Sequence, residues 1–264
     1  MKHEKMIAAN DNAPVAGEPL RFLSVCSGIE AASVAWKPLG WQCIGVAEIE
    51  PFPAFVLAHH YGAGRPRHMP DPMEPGIKVK DMRARKTALK AVSRLPVDSD
   101  LTNWGDFTRI DTTQLGRVDI LAGGTPCQAF SVAGLRGGLK DARGNLTLKF
   151  VELAHELADG NGLRNVVWEN VVGVLSDKTN AFGCFLAGLV GADTPIDPPT
   201  RGKWGSAGLV SGPKGRAAWR VCDAQFWGVA QRRRRVLVVA DFGNGADPAE
   251  VLFELDGVQR HSAP

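Results

Sequence analysis

An apolar run, a Ser-Gly turn, a helical stretch and a second apolar run follow one another within residues 21–47. Residues 21–26 predict a short strand that stops at the turn. Residues 29–39 have the apolar spacing of a helix, and they end in a proline and a glycine. Residues 42–47 predict the next strand. A strand, a helix and a strand in this order form the βαβ unit of a parallel sheet, which predicts an α/β protein.

The same alternation continues along the chain. Further strands are predicted at residues 118–122, 165–168 and 235–240, and further helices at residues 51–60 and 146–157. These strands are apolar throughout, as strands buried on both faces of a parallel sheet are. We therefore expect a doubly wound, mostly parallel sheet.

Several segments lack this pattern and divide the chain. Residues 1–20 are polar and predict a disordered lead-in to a catalytic domain over residues 21–242. Residues 65–100 form an irregular basic insertion, which we interpret as a solvated surface, with a phosphate-contacting arm as the alternative. Residues 192–216 are rich in glycine and proline and predict a loop, and residues 243–264 a C-terminal tail.

Composition excludes several classes of protein. The net charge of the 264 residues is only +3, so bulk charge does not decide whether the partner is a nucleic acid. Five cysteines without close metal-ligand spacing argue against a disulfide framework and a zinc site. The chain has neither a signal-peptide pattern nor an apolar run of about 18 residues. We expect a protein of a reducing cytoplasm, without a metal or a membrane partner.

Chemically useful side chains follow the ends of the predicted strands. Gly28, Glu48, Cys127 and Glu169 each stand where an apolar run stops. Because the carboxyl ends of parallel strands meet at one edge of a sheet, we expect these residues to form one site there.

Gly28 and Glu48 suggest a cofactor. A glycine after the first strand lets the backbone approach a ligand at a helix N-terminus. An acid at the end of the next strand, about 20 residues on, commonly binds ribose hydroxyls. The pair predicts a nucleoside-bearing cofactor, and an ordinary βα turn is the alternative.

Cys127 is the candidate nucleophile. It follows the rigid Pro126 and precedes a glycine-rich loop over residues 128–145 that carries basic side chains. Nearby cations lower the pKa of a cysteine from about 8.5 and raise its thiolate fraction. An inert, buried thiol is the interpretation that we give instead to Cys43, Cys184 and Cys222.

Glu169 and the arginines of residues 232–235 supply polar groups at two later strands. We expect partial desolvation to raise the pKa of Glu169, so that it can donate a proton; a helix cap or a surface acid is the alternative. Alternate residues of a strand face the same side. Arg233 and Arg235 should therefore point one way, and Arg232 and Arg234 the other.

These residues carry a resemblance to a known family. Residues 124–131, Gly-Thr-Pro-Cys-Gln-Ala-Phe-Ser, resemble the catalytic motif of the cytosine-C5 DNA methyltransferases. Residues 169–171, Glu-Asn-Val, resemble the base-binding motif of that family, and residues 231–235 its Gln-x-Arg-x-Arg motif. The order of the motifs is that of the family, and the details of residues 25–30 are most similar to phage or prophage members.

Further motifs extend the resemblance over roughly residues 21–242. Residues 24–30 are similar to the cofactor loop, residues 105–106 to a Gly-Asp turn that contacts the cofactor adenine, and residues 141–145 to an Asp-x-Arg-Gly segment. Two residues depart from the family pattern. Cys26 replaces a phenylalanine and Glu30 replaces a glycine, which is expected to change how the cofactor packs.

The resemblance implies a Rossmann-like, S-adenosylmethionine-dependent methyltransferase fold and a role for each matching residue. The implied catalytic residues are Cys127, Gln128, Glu169, Asn170, Arg233 and Arg235. The implied S-adenosylmethionine contacts are Cys26, Ser27, Gly28, Ile29, Glu48, Ile49, Asp106, Phe107, Gly124 and Pro126. The implied DNA contacts are Ser131, Arg136, Lys140, Arg143 and Gln231.

The family mechanism assigns these residues to 5-methylcytosine formation in double-stranded DNA, as in restriction-modification systems and phages. The target base is flipped out of the duplex, Cys127 attacks C6, Glu169 bonds to N3, and Arg235 with Arg233 holds the base. The target-recognition domain and the two closing motifs of the family are not found in the sequence.

Three alternatives remain open at this point. The first is a catalytic subunit or truncated form that needs a second subunit carrying the recognition domain. The second is a non-catalytic relative that binds cofactor or DNA. The third, a nicotinamide-dependent dehydrogenase, explains the first βαβ unit but not Cys127 or Glu169.

Overall fold

The computed structural model describes residues 17–126, 146–199, 202–228 and 230–253. The first βαβ unit is the one that the sequence predicts. It consists of β1 (Arg21–Val25), α1 (Ala31–Trp36), β2 (Gln42–Ala47) and α2 (Pro51–Tyr61). A 3-10 turn at Lys37–Leu39 extends α1, and Gly40 ends that turn in a left-handed conformation (φ 77°).

The remaining described residues add three more helices and five more strands, followed by a short helix. They are α3 (Val79–Val92), β3 (Ile120–Gly123), α4 (Leu146–Gly160), β4 (Asn165–Val171), α5 (Ala181–Val190), β5 (Ala207–Gly212), β6 (Gly215–Asp223), β7 (Arg234–Asp241) and α6 (Pro248–Leu252). Further 3-10 turns lie at Phe107–Arg109, Thr112–Gln114, Val172–Ser176 and Ala224–Trp227. None of the described helices is long and apolar enough to cross a membrane.

The strands form one seven-stranded sheet in the order β2-β1-β3-β4-β7-β6-β5 within the described residues. β1 pairs in parallel with β2 and with β3, and β3 pairs in parallel with β4. β7 lies antiparallel between β4 and β6, and β5 is antiparallel to β6. Five strands therefore run in one direction, and the predicted doubly wound, mostly parallel α/β fold is confirmed.

The strand order changes direction at β1, because β2 lies on one side of it and β3 on the other. In open α/β sheets, the crevice at such a switch point, beyond the carboxyl ends of the strands, is where ligands bind. The fold therefore directs attention to the ends of β1, β2, β3 and β4, which all point to the same edge.

Helices cover the two faces of the sheet unequally. Helices α4 and α5 cover one face with side chains such as Phe150 and Phe185, and the Phe185 ring lies 4.3 Å from that of Trp168 between ring centroids. On the other face, α1 brings Trp36 against Phe22, and α6 brings Leu252 against Val239. The strand face between α1 and α6 is less covered.

Four segments contain regular structure that their sequences did not predict. α5 was not predicted, and the predicted C-terminal tail of residues 243–264 contains α6, which packs on the sheet through Leu252. The prediction that residues 65–100 are irregular is wrong, because they contain α3, which is anchored by Val92 and Leu95 against Ala54. The prediction of a loop over residues 192–216 is also wrong in part, because the segment includes β5 and the start of β6.

Gly123 ends β3 at a point where no side chain fits. A Cβ atom there would lie 2.8 Å from Phe150 Cε2 and 2.9 Å from the Val25 carbonyl oxygen, and the backbone of β1 cannot move aside cheaply. β3 therefore passes between β1 and β4 only because its last residue is glycine.

We predict that Gly123→Ala lowers the free energy of unfolding by about 1–3 kcal/mol, the usual effect of overpacking a core. The matched control is Gly160→Ala at the end of α4, where a Cβ atom meets nothing within 4 Å. Alanine is the better helix former, so this control should be neutral or stabilising by up to about 1 kcal/mol. Urea unfolding of both variants measures the difference; equal midpoints would contradict the prediction.

Candidate active site at the carboxyl ends of the parallel strands

The turn after β1 is held in place by the end of β2. The Ser27 N–H donates to the Ala47 carbonyl at 3.3 Å, and the Ala47 N–H donates back to the Ser27 hydroxyl at 3.1 Å. Cys26 and Gly28 both have a left-handed backbone, with φ of 50° and 55°. The turn therefore has a fixed, tightly wound shape, and a Cβ atom on Gly28 would meet open space.

The side chain of Glu48, which follows β2, binds the backbone of this turn. Its carboxylate Oε2 accepts from the Gly28 N–H at 2.9 Å, and Oε1 accepts from the Glu50 N–H at 2.7 Å. The residue is buried, with 8% of its surface exposed, and burial raises the pKa of the carboxyl. Each carboxylate oxygen still has acceptor capacity beyond the one backbone bond that it receives.

Cys26, Glu48 and Asp106 lie close to one another. Burial raises the pKa of the Cys26 thiol to about 12, and the carboxylates of Glu48 and Asp106 add to the increase. Asp106 caps the following 3-10 turn by accepting from the N–H and the hydroxyl of Thr108 at 3.1 and 2.8 Å. The structure thus brings three of the predicted cofactor residues together.

Asn103 is a site residue that sequence reasoning missed. Its side-chain oxygen accepts from the Glu48 N–H at 3.1 Å and from the Gly105 N–H at 2.9 Å. It is buried, with 1% exposed, and joins the end of β2 to the turn that carries Asp106. Its position three residues before Asp106 was the only signal available, and this spacing alone does not identify a bridging amide.

Glu30 has a larger structural role than its departure from the family pattern suggested. It is fully buried, and its left-handed backbone (φ 69°) begins α1. Its Oε1 accepts from the Ser33 N–H and hydroxyl at 3.0 and 3.1 Å, while its carbonyl accepts from the Tyr61 hydroxyl at 3.3 Å. Burial raises the pKa of Glu30. A helix cap of this kind contributes about 1 kcal/mol, which offsets the cost of a non-glycine residue in this conformation.

Thr125 is fixed between β3 and β4. Its hydroxyl accepts from Trp168 Nε1 at 3.1 Å and lies 2.7 Å from the Thr147 hydroxyl. Its carbonyl accepts from Asn170 Nδ2 at 2.9 Å, and Asn170 Oδ1 accepts from the Val171 N–H at 2.8 Å. Because Thr125 is 2% exposed, this network holds the backbone just before Pro126 in one position.

Glu169 lies on the opposite face of β4 from Trp168 and is paired with two arginines. Arg235 Nε is 2.8 Å and Arg233 Nη2 is 3.6 Å from Glu169 Oε1. The side chain of Glu169 is 40% exposed, so it is partly shielded from water, and the two arginines are its charged partners. Gly124 lies beside it, because a Cβ there would be 3.1 Å from the Glu169 carbonyl oxygen.

A groove of about 750 Å³ leads away from Glu169 and Arg235 along the less covered face of the sheet. Apolar side chains of β3, β4 and β7 form its floor: Ile120, Val167, Leu237 and Val239. Trp36 and Leu252 line it from α1 and α6. The site therefore has a polar mouth at the strand ends and an apolar extension behind it.

The other predicted residues divide into two sets. Ile29 is 59% exposed beside the β1 turn, Phe107 is buried, and Ile49, Pro126 and Gln231 are at least partly exposed. The others lie outside the described residues: Cys127, Gln128, Ser131, Arg136, Lys140 and Arg143. Among the described residues, the structure brings two sets to one edge of the sheet. They are the predicted cofactor contacts around the β1 turn, and Glu169 with its two arginines.

Comparisons with known proteins match the chain to DNA methyltransferases. Residues 97–192 match the family model described as C-5 cytosine-specific DNA methylase. A protein of Escherichia phage P1 named DNA N-6-adenine-methyltransferase is 45% identical over 274 residues, which cover 93% of this chain and 31% of the phage protein. The orphan methyltransferase M.Rho11sI of Bacillus phage rho11s is 30% identical over 83% of this chain and 32% of its own length.

The chain spans about a third of the length of these two relatives. Among solved structures, a DNMT2 variant of Spodoptera frugiperda aligns with a TM-score of 0.49 and 16% identity. That alignment covers 85% of this chain and 50% of the other.

We predict that Asn170→Asp destabilises the fold at pH 7 by about 1–3 kcal/mol, the range for an unsatisfied buried polar group. The substitution keeps an acceptor for the Val171 N–H but turns a second oxygen towards the Thr125 carbonyl. Protonation of the new carboxyl should restore a donor, so the loss should shrink as the pH falls. Urea unfolding at several pH values measures this, and a pH-independent difference from the original protein would contradict it.

Proposed function

Because the chain belongs to the C-5 cytosine-specific DNA methylase family, we propose that it methylates C5 of cytosine in DNA. One observation supports this proposal above the others. The Thr125 network and the Glu169–Arg235 ion pair lie side by side at the ends of β3 and β4, and the chain runs from Thr125 through Pro126 directly into Cys127.

S-adenosylmethionine is the proposed cofactor, and it would supply a methyl group on a sulfonium centre. The residues around the β1 turn suit its nucleoside. Glu48 is fixed by Gly28 and Glu50 and retains lone pairs for ribose hydroxyls, and Asp106 lies near enough to Cys26 to affect its pKa. Cys26, Ser27, Gly28 and Ile29 would line the near side of the cofactor, and Ile49, Phe107, Gly124 and Pro126 the remainder.

Cys127 is the proposed nucleophile. In this scheme its thiolate adds to C6 of the cytosine ring, since the deprotonated sulfur is the reactive form. Other cysteines are unsuited to that task. Burial raises the pKa of Cys43 to about 12, as it does for Cys26, and also raises that of Cys184, so these thiols stay protonated at neutral pH.

Glu169 and the two arginines would hold the base while Cys127 attacks. Glu169 would take a proton from solvent as the base displaces its ion pair, would share that proton with N3 as electron density moves into the ring, and would recover it when Cys127 leaves. Arg235 with Arg233 would orient the base edge. Two cations face this carboxyl before a base is bound. Binding of the base therefore has to exchange the ion pair for contacts with the ring, which moves Arg235 from Glu169 to the base.

Addition at C6 makes C5 nucleophilic, and C5 takes the methyl group. The C5 proton is then lost to a base or to water, and elimination of the Cys127 thiolate restores the aromatic ring. Asn170 acts indirectly by holding the Thr125 carbonyl, and Gln128 is proposed to assist beside the nucleophile.

The DNA-facing part of the proposal includes residues on both sides of the site. Ser131, Arg136, Lys140, Arg143 and Gln231 are proposed to contact the DNA, whose target base must leave the stack at a cost of a few kcal/mol. We assign residues 21–242 to the catalytic domain. Target recognition is proposed to come from a second subunit that carries the recognition domain.

The name of the phage P1 relative favours a second candidate, transfer to N6 of adenine. An exocyclic amine attacks a methyl donor directly and needs no covalent adduct. In such a reaction Cys127 would have no role in the chemistry. Glu169, paired with its arginines, would have no pyrimidine ring to bind. We therefore place cytosine first, and product analysis separates the two.

We predict that the protein forms 5-methylcytosine and no N6-methyladenine in mixed-sequence DNA, and that Cys127→Ser reduces the product to background. The reason is that a serine hydroxyl is far less acidic and less nucleophilic than a thiol. Mass spectrometry of nucleosides from DNA incubated with S-adenosylmethionine, with and without the product of the neighbouring gene, measures both bases.

Cys43→Ser is the matched control for that experiment, since serine can keep the bond that Cys43 Sγ donates to the Gly45 carbonyl. It should retain activity. Full methylation by Cys127→Ser would show that Cys127 is not the nucleophile, and N6-methyladenine as the product would establish the second candidate.

We predict that Glu48→Ala weakens S-adenosylmethionine binding by about tenfold to a hundredfold, the equivalent of one or two hydrogen bonds to a charged group. Glu50→Ala is the control, because the Glu50 side chain is exposed and only its backbone N–H contacts Glu48. Isothermal titration calorimetry on folded proteins compares the affinities. Unchanged affinity in Glu48→Ala would place the cofactor elsewhere.

A further inference from the structure

The segment of residues 65–100 carries the positive charge of the chain. It contains nine basic and five acidic side chains, a formal charge of +4, whereas the whole protein carries +3. The charge is therefore concentrated in one part of the fold, and the remainder is close to neutral. Helix α3 occupies much of this segment and displays most of its basic side chains.

Four basic residues form one stripe along α3 and just beyond its end. Arg83, Lys86, Lys90 and Arg94 are separated by three, four and four residues, which places them on the same side of a helix. All four are exposed, and none makes an ion pair with a described residue. Arg85 differs, because it is turned away and donates to Glu74 and to the Asp71 carbonyl.

The stripe opposes the stability of its own helix. Like charges four residues apart, as in Lys86 with Lys90, destabilise a helix by about 0.2–0.5 kcal/mol per pair. Packing holds α3 in place despite this repulsion. Val92 and Leu95 bury against Ala54 of α2, and Arg65 donates to the Ser93 carbonyl at 2.6 Å beyond the helix end.

We propose that this stripe binds the phosphate backbone of duplex DNA, outside the catalytic residues. The inference rests on the proposed function, which makes DNA the substrate. Arg83 to Arg94 span about 16 Å of helix, a length over which each DNA strand carries about five phosphates. Contact with phosphates relieves the repulsion within the stripe and is independent of base sequence.

The position of α3 fits this role. α3 packs on α2, which begins at Pro51, three residues after Glu48. Val92, in the last turn of α3, packs with Ala54 in the first turn of α2, so the C-terminal end of the stripe lies towards the edge of the sheet where the proposed site lies. A rigid helix of this kind positions DNA without reading its sequence, as backbone contacts do. The solvated-surface interpretation of residues 65–100 leaves the aligned, unpaired charges without an explanation.

The test reverses two charges of the stripe in Lys86→Glu/Lys90→Glu. The matched control, Lys37→Glu/Lys214→Glu, changes the net charge equally. Lys37 and Lys214 are exposed and lie towards the opposite edge, after α1 and in the turn between β5 and β6. Fluorescence anisotropy with a mixed-sequence duplex at a series of salt concentrations gives the slope of log affinity against log salt, and circular dichroism checks the fold.

We expect the stripe variant to lose about two units of that slope, since each phosphate contact contributes about 0.9, and to bind S-adenosylmethionine as before. The control should keep the slope of the original protein. Equal slopes in the two variants would overturn the inference. Methyl transfer by the unaltered protein is measured separately. The absence of methylation, which would contradict the proposed function, is therefore distinguishable from the absence of phosphate binding by the stripe.

Discussion

The parallel pairing of β1, β2, β3 and β4 is the constraint on which the rest of the site depends. Parallel strands send their carboxyl ends to one edge, so residues far apart in sequence leave the sheet together. Ser27 is bonded to Ala47 across two strand ends, and Thr125 is bonded to Asn170 across two others. These hydrogen bonds between strand ends fix the positions of the turns that carry the proposed site residues.

β4 contributes to both sides of that arrangement because its side chains alternate. Trp168 and Asn170 face the helices α4 and α5 and hold Thr125, while Val167 and Glu169 face the less covered side. Antiparallel β7 then brings Arg235 next to Glu169, because Val171 is paired with Arg235 in the ladder. A shift of one residue in this register would turn Glu169 towards the helices and Asn170 towards the less covered side. Neither side chain would then reach its partner.

The sequence predicted the helices and strands that have strong local patterns. The βαβ unit, the strand ends and the residues at the shared edge follow from apolar runs and glycine turns. α3 was missed because its composition is dominated by charge, so few apolar residues mark its buried side. α5 was missed for the opposite reason, since all ten of its residues are buried and no polar face reveals a helical period. Asn103 was missed because its role depends on Glu48, a partner distant in sequence. The capping role of Glu30 is local, but it requires a left-handed backbone at a residue other than glycine, which the sequence does not reveal.

The charged residues at this edge are arranged in a way that is compatible with the proposed DNA substrate. Glu48 and Asp106 are fixed by backbone donors on the cofactor side, where the proposed ligand carries a cationic sulfonium. Glu169, the acid nearest the proposed base, is covered by Arg233 and Arg235, so it presents little net negative charge to a polyanion. Once a base displaces this pairing, the arginines are proposed to hold the base edge while the carboxyl turns to a neutral ring. The ion pair therefore neutralises the carboxyl that the proposed base contact uses.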